Sequence, residues 1–169
     1  MQLTPIALSE SVQLQALAKR TYIAAFKSKN KPGVIETYLE TAFAKAQLET
    51  ELQNKESYWY FAKNNTQLLG YLKLNTHTAQ TEFKEPEGLE IERIYMDMPY
   101  LGKGIGRKLL DFSISKAKEL RKTYIWLGVW EHNPDAIWFY KKRGFTITGT
   151  HDYDMIAEIQ TDYIMRLAL

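Results

Sequence analysis

Two rhythms of apolar residues alternate along this chain. One has the 3.6-residue period of a helix packed on one face; the other is the short run or alternation of a strand. Leu3 to Leu8 reads as a first strand. Ser9 offers an N-cap for a helix from Glu10 to Phe26, with apolar positions at Val12, Leu14, Leu17, Ala18, Ala24 and Ala25. Lys31-Pro32-Gly33 breaks that helix, and Val34 to Phe43 and Ala46 to Leu52 read as two more. Tyr58 to Ala62 and Leu68 to Leu74 read as strands joined by the polar turn Lys63-Asn64-Asn65-Thr66. Thr76 to Gly88 is polar, contains Pro86 and reads as a loop.

The second half is patterned more sharply. Leu89 to Met96 reads as a strand and Gly104 to Leu120 as a helix, with apolar rows Ile105, Leu109, Phe112 and Leu110, Ile114, Ala117. Tyr124 to Val129 is nearly continuous in apolar residues, as a strand covered on both faces requires. Asn133-Pro134-Asp135 is a helix start: a capping Asn, Pro at the first helical position and an acid in the first turn. Arg143-Gly144 ends that helix, and Phe145 to Gly149 and Thr161 to Leu169 read as strands. This order predicts an α/β fold, a mixed central sheet with helices on both faces. Leu89–Met96, the helix after it and Tyr124–Val129 form one β-α-β unit, predicting parallel neighbours and a right-handed crossover.

Composition narrows the chemistry. The chain has 169 residues, a length read as one domain. Its 22 basic and 20 acidic residues leave a net charge of +2, which gives no electrostatic case for nucleic acid or an anionic membrane. The N-terminus reads as no signal peptide, and no apolar run approaches a membrane span. Cysteine is absent, which excludes disulfides, Cys-based metal sites and a thiol nucleophile and suits a cytoplasmic protein. His77, His132 and His151 are scattered with no metal-ligand spacing, so no metal is expected.

The run Tyr100-Leu101-Gly102-Lys103-Gly104-Ile105-Gly106-Arg107 joins a strand to a helix. A glycine-rich turn there lets backbone N–H groups converge on an anion at the positive end of the helix dipole. A P-loop needs Gly, four residues, then Gly-Lys-Ser/Thr, a spacing this run lacks. The dinucleotide fingerprint wants a third glycine where Arg107 stands. A plain structural turn and an acetyl-CoA pyrophosphate turn remain.

Three stretches carry a resemblance: Leu89–Met96 with Gly102–Leu110, Trp126–Asn133, and Asn133–Phe145. Together they resemble the GNAT acetyltransferases, and in element order the resemblance spans the whole chain, as a single N-acetyltransferase domain over residues 1–169. The family's cofactor turn, Gln/Arg-x-x-Gly-x-Gly/Ala, is matched at Gly104 and Gly106 and departs at Leu101. Thr21–Phe26 and Gln160–Met165 resemble the PaiA-like polyamine acetyltransferases. The resemblance implies acetyl-CoA as co-substrate. It would be held by the backbone of Ile94, Tyr95 and Met96, by the turn Leu101, Gly102, Lys103, Gly104, Ile105, Gly106 and Arg107, and by Asn133, Ala136 and Tyr140.

Acetyl transfer to an amine needs a neutral nucleophile, and an alkylammonium at neutral pH is about 3 pKa units, roughly 4–5 kcal/mol, from that state. A carboxylate near the amine helps remove the proton. Glu92, where the resemblance places a carboxylate beside the acceptor, is the candidate base, and Glu90 is the runner-up. Strand alternation predicts Glu90, Glu92 and Ile94 on one face and Ile91, Arg93 and Tyr95 on the other. The resemblance puts the Tyr140 hydroxyl near the thioester sulfur, as general acid. Without cysteine, direct attack in a ternary complex is favoured over an acyl-enzyme. The expected acceptor is a small-molecule amine, with spermidine or spermine the nearest candidates. Carboxylates at Glu36, Glu40, Asp152, Asp154 and Glu158, with Tyr22 and Tyr38, are candidates to flank it. Many proteins of this family pair, so a homodimer is expected by analogy. The rival readings are a regulatory CoA-binding module without turnover, and an acetyltransferase acting on a protein N-terminus, an amino acid or an antibiotic amine.

Overall fold

The computed structural model describes residues 1–27, 33–155 and 158–169, and these hold seven strands in one sheet. The chain runs β1 (Gln2–Pro5), α1 (Ser11–Phe26), α2 (Val34–Ala42), α3 (Lys45–Gln53), β2 (Ser57–Asn64), β3 (Gln67–Asn75) and β4 (Gly88–Met96). It continues through α4 (Ile105–Glu119), β5 (Tyr124–Trp130), α5 (Pro134–Lys141), β6 (Thr146–Met155) and β7 (Glu158–Ala168). The sheet order is β1-β2-β3-β4-β5-β7-β6, and among these pairs only β4–β5 is parallel.

Two apolar clusters cover the two faces. On one, Leu109, Leu110 and Ala117 of α4 pack on Leu72, Leu89, Ile91, Ile125 and Leu127. On the other, Leu14, Leu17 and Ala18 of α1, Ile35 and Leu39 of α2 and Leu48 of α3 pack on Trp59, Phe61 and Tyr71. Each fully buried leucine contributes roughly 1.5–3 kcal/mol. The period-2 alternation of β2 feeds both clusters, with Trp59 and Phe61 on one side and Tyr58, Tyr60 and Ala62 on the other.

Several boundaries differ from the sequence expectation. The first strand ends at Pro5, and Leu8–Glu10 forms a 3-10 turn. Ser9 is not the cap of α1; Glu10 occupies that position, and its carboxylate accepts from Ala7 N–H at 3.0 Å and from Lys63 Nζ at 2.9 Å. The last two strands are longer than expected. The polar segment His151–Met155, which lies beyond the strand read over Phe145 to Gly149, pairs with Glu158–Asp162, because a neighbouring strand satisfies the backbone whatever the side chains are.

The alternation expected in β4 is broken. Lys73 pairs with Arg93 but Leu74 pairs with Ile91, so Glu92 is the extra residue of a β-bulge. Past the bulge the faces exchange. Ile91 and Ile94 share the α4 face, while Arg93 and Tyr95 lie against the α1–α3 cluster.

β4 and β5 also part company. They pair at Gly88–Tyr124, Leu89–Ile125 and Glu90–Trp126, and there the ladder stops. From Ile91 onward β4 keeps its bonds to β3, and from Leu127 onward β5 keeps its bonds to β7. A gap therefore opens in the middle of the sheet. From Glu90 to Met96 it runs about 20 Å at strand rise.

Candidate active site

A cleft of about 1170 Å³ enters this gap and continues across the sheet toward α1 and α2. Ile94, Tyr95 and Met96 of β4 line one side and Leu127 to Trp130 of β5 the other. Its volume exceeds the usual range for a small-ligand pocket, which suits two substrates better than one.

At the Met96 end stands the glycine turn. Gly102 and Gly104 have φ of +72° and +76°, and Gly104 is the N-cap of α4. No side chain caps the helix. Among the described residues no backbone carbonyl takes the N–H of Gly104, Ile105, Gly106 or Arg107. Those four free donors at the positive end of α4 are the arrangement that binds a phosphate. A Cβ on Gly106 would lie 3.2 Å from Met96 Cε, so its bare backbone sits directly beside the strand end. Leu101 and Gly106 line the cleft. Ile105 turns into the core, Lys103 lies over the Tyr100 ring, and Arg107 pairs with Asp111 at 3.7 Å on the surface. The turn thus offers backbone donors first and cationic side chains only at its rim, and it fits a pyrophosphate through the main chain.

Across the gap, Asn133 caps α5 by accepting from Ala136 N–H, and the first two turns of α5 place Ala136, Phe139 and Tyr140 on the cleft. Tyr140 is 7% exposed, packed between Phe139 and Phe145. Among the described residues its hydroxyl has no hydrogen-bond partner, and burial pushes its pKa far upward. It is a held proton with no acceptor among the described residues.

The two β4 carboxylates occupy different electrostatic worlds. Glu92 is ion-paired with Lys73 and with Arg93 Nε at 3.1 Å, and takes a hydrogen bond from Asn75 Nδ2 at 2.5 Å. Lys73 also reaches Glu51 of α3 at 2.8 Å, and the Arg93 guanidinium lies over the Phe43 and Trp59 rings. Burial works against the charge of Glu92, but Arg93 and Lys73 outweigh it, and the carboxyl lies below the ordinary range. Glu90 is 2% exposed and has no cationic partner among the described residues. It accepts from Thr81 Oγ1 at 2.5 Å, Thr81 N–H at 2.9 Å and Asn75 Nδ2 at 3.0 Å. Burial, and then the charge of Glu92, push its carboxyl up to about 7 against those hydrogen bonds.

This difference predicts a pH dependence of stability. The folded protein holds the Glu90 proton more tightly than the unfolded chain, whose carboxyl titrates at the ordinary value near 4.5. Stability therefore falls as pH rises from there to about 7, by about 3 kcal/mol in total. Glu90→Gln mimics the protonated side chain and should be the more stable protein at pH 7.5, converging with wild type near pH 4.5. Thermal melts at both values check this; parallel pH profiles would contradict it.

The cleft also holds residues that sequence reading missed. Gly128 of β5 is exposed and lines the cleft, so the sheet has a bare trough there. A Cβ on it would meet Asp162 Oδ2 at 3.4 Å and His151 Cε1 at 3.7 Å. Burial raises the Asp162 carboxyl, with His151 opposing and Glu131 adding to the shift. His151 Nδ1 stands 3.6 Å from Glu82. The only sequence signal was an odd glycine inside an apolar strand. Tyr22 and Tyr38 stack at 4.9 Å and line the same cleft. Asp152 lines it too, accepting from Thr161 Oγ1 at 3.0 Å. Glu36 instead tethers the N–H of Gly33 and pairs with Lys27, and Glu40 does not line the cleft. The side chains of Asp154 and Glu158 lie outside the described residues.

Comparison with known proteins gives a consistent result. The model of the acetyltransferase (GNAT) family matches residues 12–145. An uncharacterized N-acetyltransferase from the pepI 3′ region of Lactobacillus delbrueckii subsp. lactis is 37% identical over 154 residues, covering 91% of this chain and 89% of the relative. The spermine/spermidine N(1)-acetyltransferase of Bacillus subtilis (strain 168) is 37% identical over 88 residues, 52% of this chain and 58% of that one. Among solved structures, the PaiA N-acetyltransferase of Thermoplasma acidophilum in complex with coenzyme A superposes with a TM-score of 0.79 over the full length of both chains. At 20% identity that is a likeness of fold.

Proposed function

The chain belongs to the acetyltransferase (GNAT) family and is an N-acetyltransferase, and from that premise we propose that it moves an acetyl group from acetyl-CoA to a primary amine by direct attack with both substrates bound. One observation carries the reading: free backbone donors near Gly106, the Tyr140 hydroxyl and the carboxylates of β4 open on one continuous cleft. The pyrophosphate would rest on the N–H groups of Gly104, Ile105, Gly106 and Arg107. The backbone of Ile94, Tyr95 and Met96 offers sheet-like hydrogen bonds along the gap, with Asn133 and Ala136 opposite.

When bound, acetyl-CoA supplies an acetyl group activated as a thioester. The protein supplies two groups that move protons. A β4 carboxylate, Glu90 or Glu92, accepts the proton of the acceptor ammonium and leaves a neutral amine. Tyr140 donates a proton to the departing sulfur and regains the second proton that the nitrogen sheds on becoming an amide; burial keeps the hydroxyl neutral until negative charge develops at the sulfur. Over the cycle a C–N bond forms, a C–S bond breaks and one proton passes to water.

The finer reading is a polyamine acceptor such as spermidine or spermine. Support comes from the carboxylates of Glu82, Glu90 and Asp162 on the cleft, from the stacked rings of Tyr22 and Tyr38, and from the Bacillus relative's name. Thiol release from acetyl-CoA across spermidine, 1,4-diaminobutane, n-butylamine, amino acids and a lysine peptide tests it. We expect spermidine and the diamine to exceed n-butylamine by at least about tenfold in kcat/KM, a difference of about 1.4 kcal/mol. A lysine peptide as best substrate would replace the polyamine reading; no thiol release with any amine would remove amine acetylation.

A further inference from the structure

Asn75 joins the two β4 carboxylates. Its side chain is fully buried, and its single NH2 group donates to both Glu90 Oε2 and Glu92 Oε2. Its Oδ1 accepts from Ser57 Oγ at 2.9 Å, which fixes the amide's orientation. Glu92 has a second set of anchors in Lys73 and Arg93, and these are themselves tied to Glu51. The bulge makes this geometry: an extra residue brings the Glu92 carboxylate into reach of Lys73, Arg93 and Asn75 together.

A carboxylate clasped by two cations is a poor proton acceptor, because taking up a proton would strand both cations in a buried site. Among the described residues Glu90 has no such clasp, and its partners, Thr81 and Asn75, are neutral donors. We propose that Glu92 and Asn75 are positioning residues for Glu90: Glu92 stays ionised beside it, Asn75 fixes the spacing, and Glu90 takes the proton of the acceptor amine. This rests on the amine-acetylation reading. In the step an N–H bond of the ammonium breaks and an O–H bond forms at Glu90, directly or through one water, and the proton then passes to solvent.

The charges around Glu90 give the coupling its sign. Glu92 lies on its own strand, Lys73 on β3, Glu51 on α3 and Arg93 just beyond the bulge. Glu82 follows Thr81 in the loop; across β5, β7 contributes Arg166 opposite Trp126 and Asp162 opposite Trp130, and β6 contributes His151 opposite Asp162. Among these Glu92 is the charge that most favours the protonated form of Glu90. Neutralising Glu92 should therefore move Glu90 acidward, and neutralising Lys73 should move it the other way.

The test is carbon NMR of protein labelled at the glutamate δ-carbon, titrated from pH 4 to 9, with kcat/KM followed over the same range on the best amine of the panel. We expect one signal titrating near neutrality, missing in Glu90→Gln. It should shift by about one pH unit or more to lower pH in Glu92→Gln and upward in Lys73→Met; the second variant serves if the first does not fold. The acid limb of kcat/KM should move with the signal. Glu90→Gln should lose about a hundredfold or more, and Glu92→Gln less than tenfold at its own optimum. A signal that vanishes in Glu92→Gln and survives in Glu90→Gln overturns the proposal, as does one that neither variant moves. The two failures are separable. Wild-type protein that acetylates no amine overturns the underlying reading, whereas active wild type with an unmoved signal overturns the positioning role alone.

Discussion

Tyr140→Phe is expected to turn over about a hundredfold or more slowly than wild type while binding acetyl-CoA with nearly unchanged affinity. The ring fills the same space between Phe139 and Phe145, so the wall of the cleft survives. Only a hydroxyl leaves, and among the described residues it bonds to nothing. Its removal breaks no hydrogen bond in the protein, so thermal stability should hold or rise slightly. The departing sulfur then has no donor at the moment charge appears, and the loss falls on kcat. Turnover at saturating acetyl-CoA, set beside a calorimetric Kd, separates the two effects. Wild-type kcat would dismiss Tyr140 as the acid.

Gly104→Val is expected to abolish the rise in Tm that acetyl-CoA gives the wild-type protein. The reason is conformational, not steric. A Cβ at Gly104 meets nothing within 4 Å, yet φ is +76°, a region β-branched residues avoid. Valine would unwind the turn and scatter the four N–H groups that converge there. Gly104→Asn fills similar space but tolerates a left-handed backbone, so it should keep most of the protection. A Val variant as well protected as the Asn variant would detach this turn from acetyl-CoA binding.

Much of this fold was legible because its signals are local. Asn133-Pro134-Asp135 announced α5, and the two apolar rows of Gly104–Leu120 announced α4, because capping and amphipathic packing are written in neighbouring residues. The β-α-β arrangement of β4, α4 and β5 followed from spacing. What failed was settled at a distance. The bulge at Glu92 depends on how β3 meets β4, and no alternation rule within one strand can announce it. Asn75 falls between the strand read over Leu68 to Leu74 and the loop from Thr76, where no local signal singles it out; its importance comes from Glu90 and Glu92, fifteen and seventeen residues away. Asp162 and His151 lie on different strands and meet over a glycine on a third. Backbone pairing likewise turned the polar run after Gly149 into strand, because hydrogen bonds to β7 count for more there than side-chain hydropathy.

The parting of β4 from β5 bears on what a molecule lying in the cleft would meet. Two half-sheets, β1 to β4 and β5 with β7 and β6, are stitched together by three register pairs at Gly88, Leu89 and Glu90. Glu90 is the last of those three, so it stands where the joined part of the sheet gives way to the gap. Whatever lies along the gap and reaches its closed end meets that carboxyl, so the depth to which the gap is filled and the contact made with Glu90 are set together.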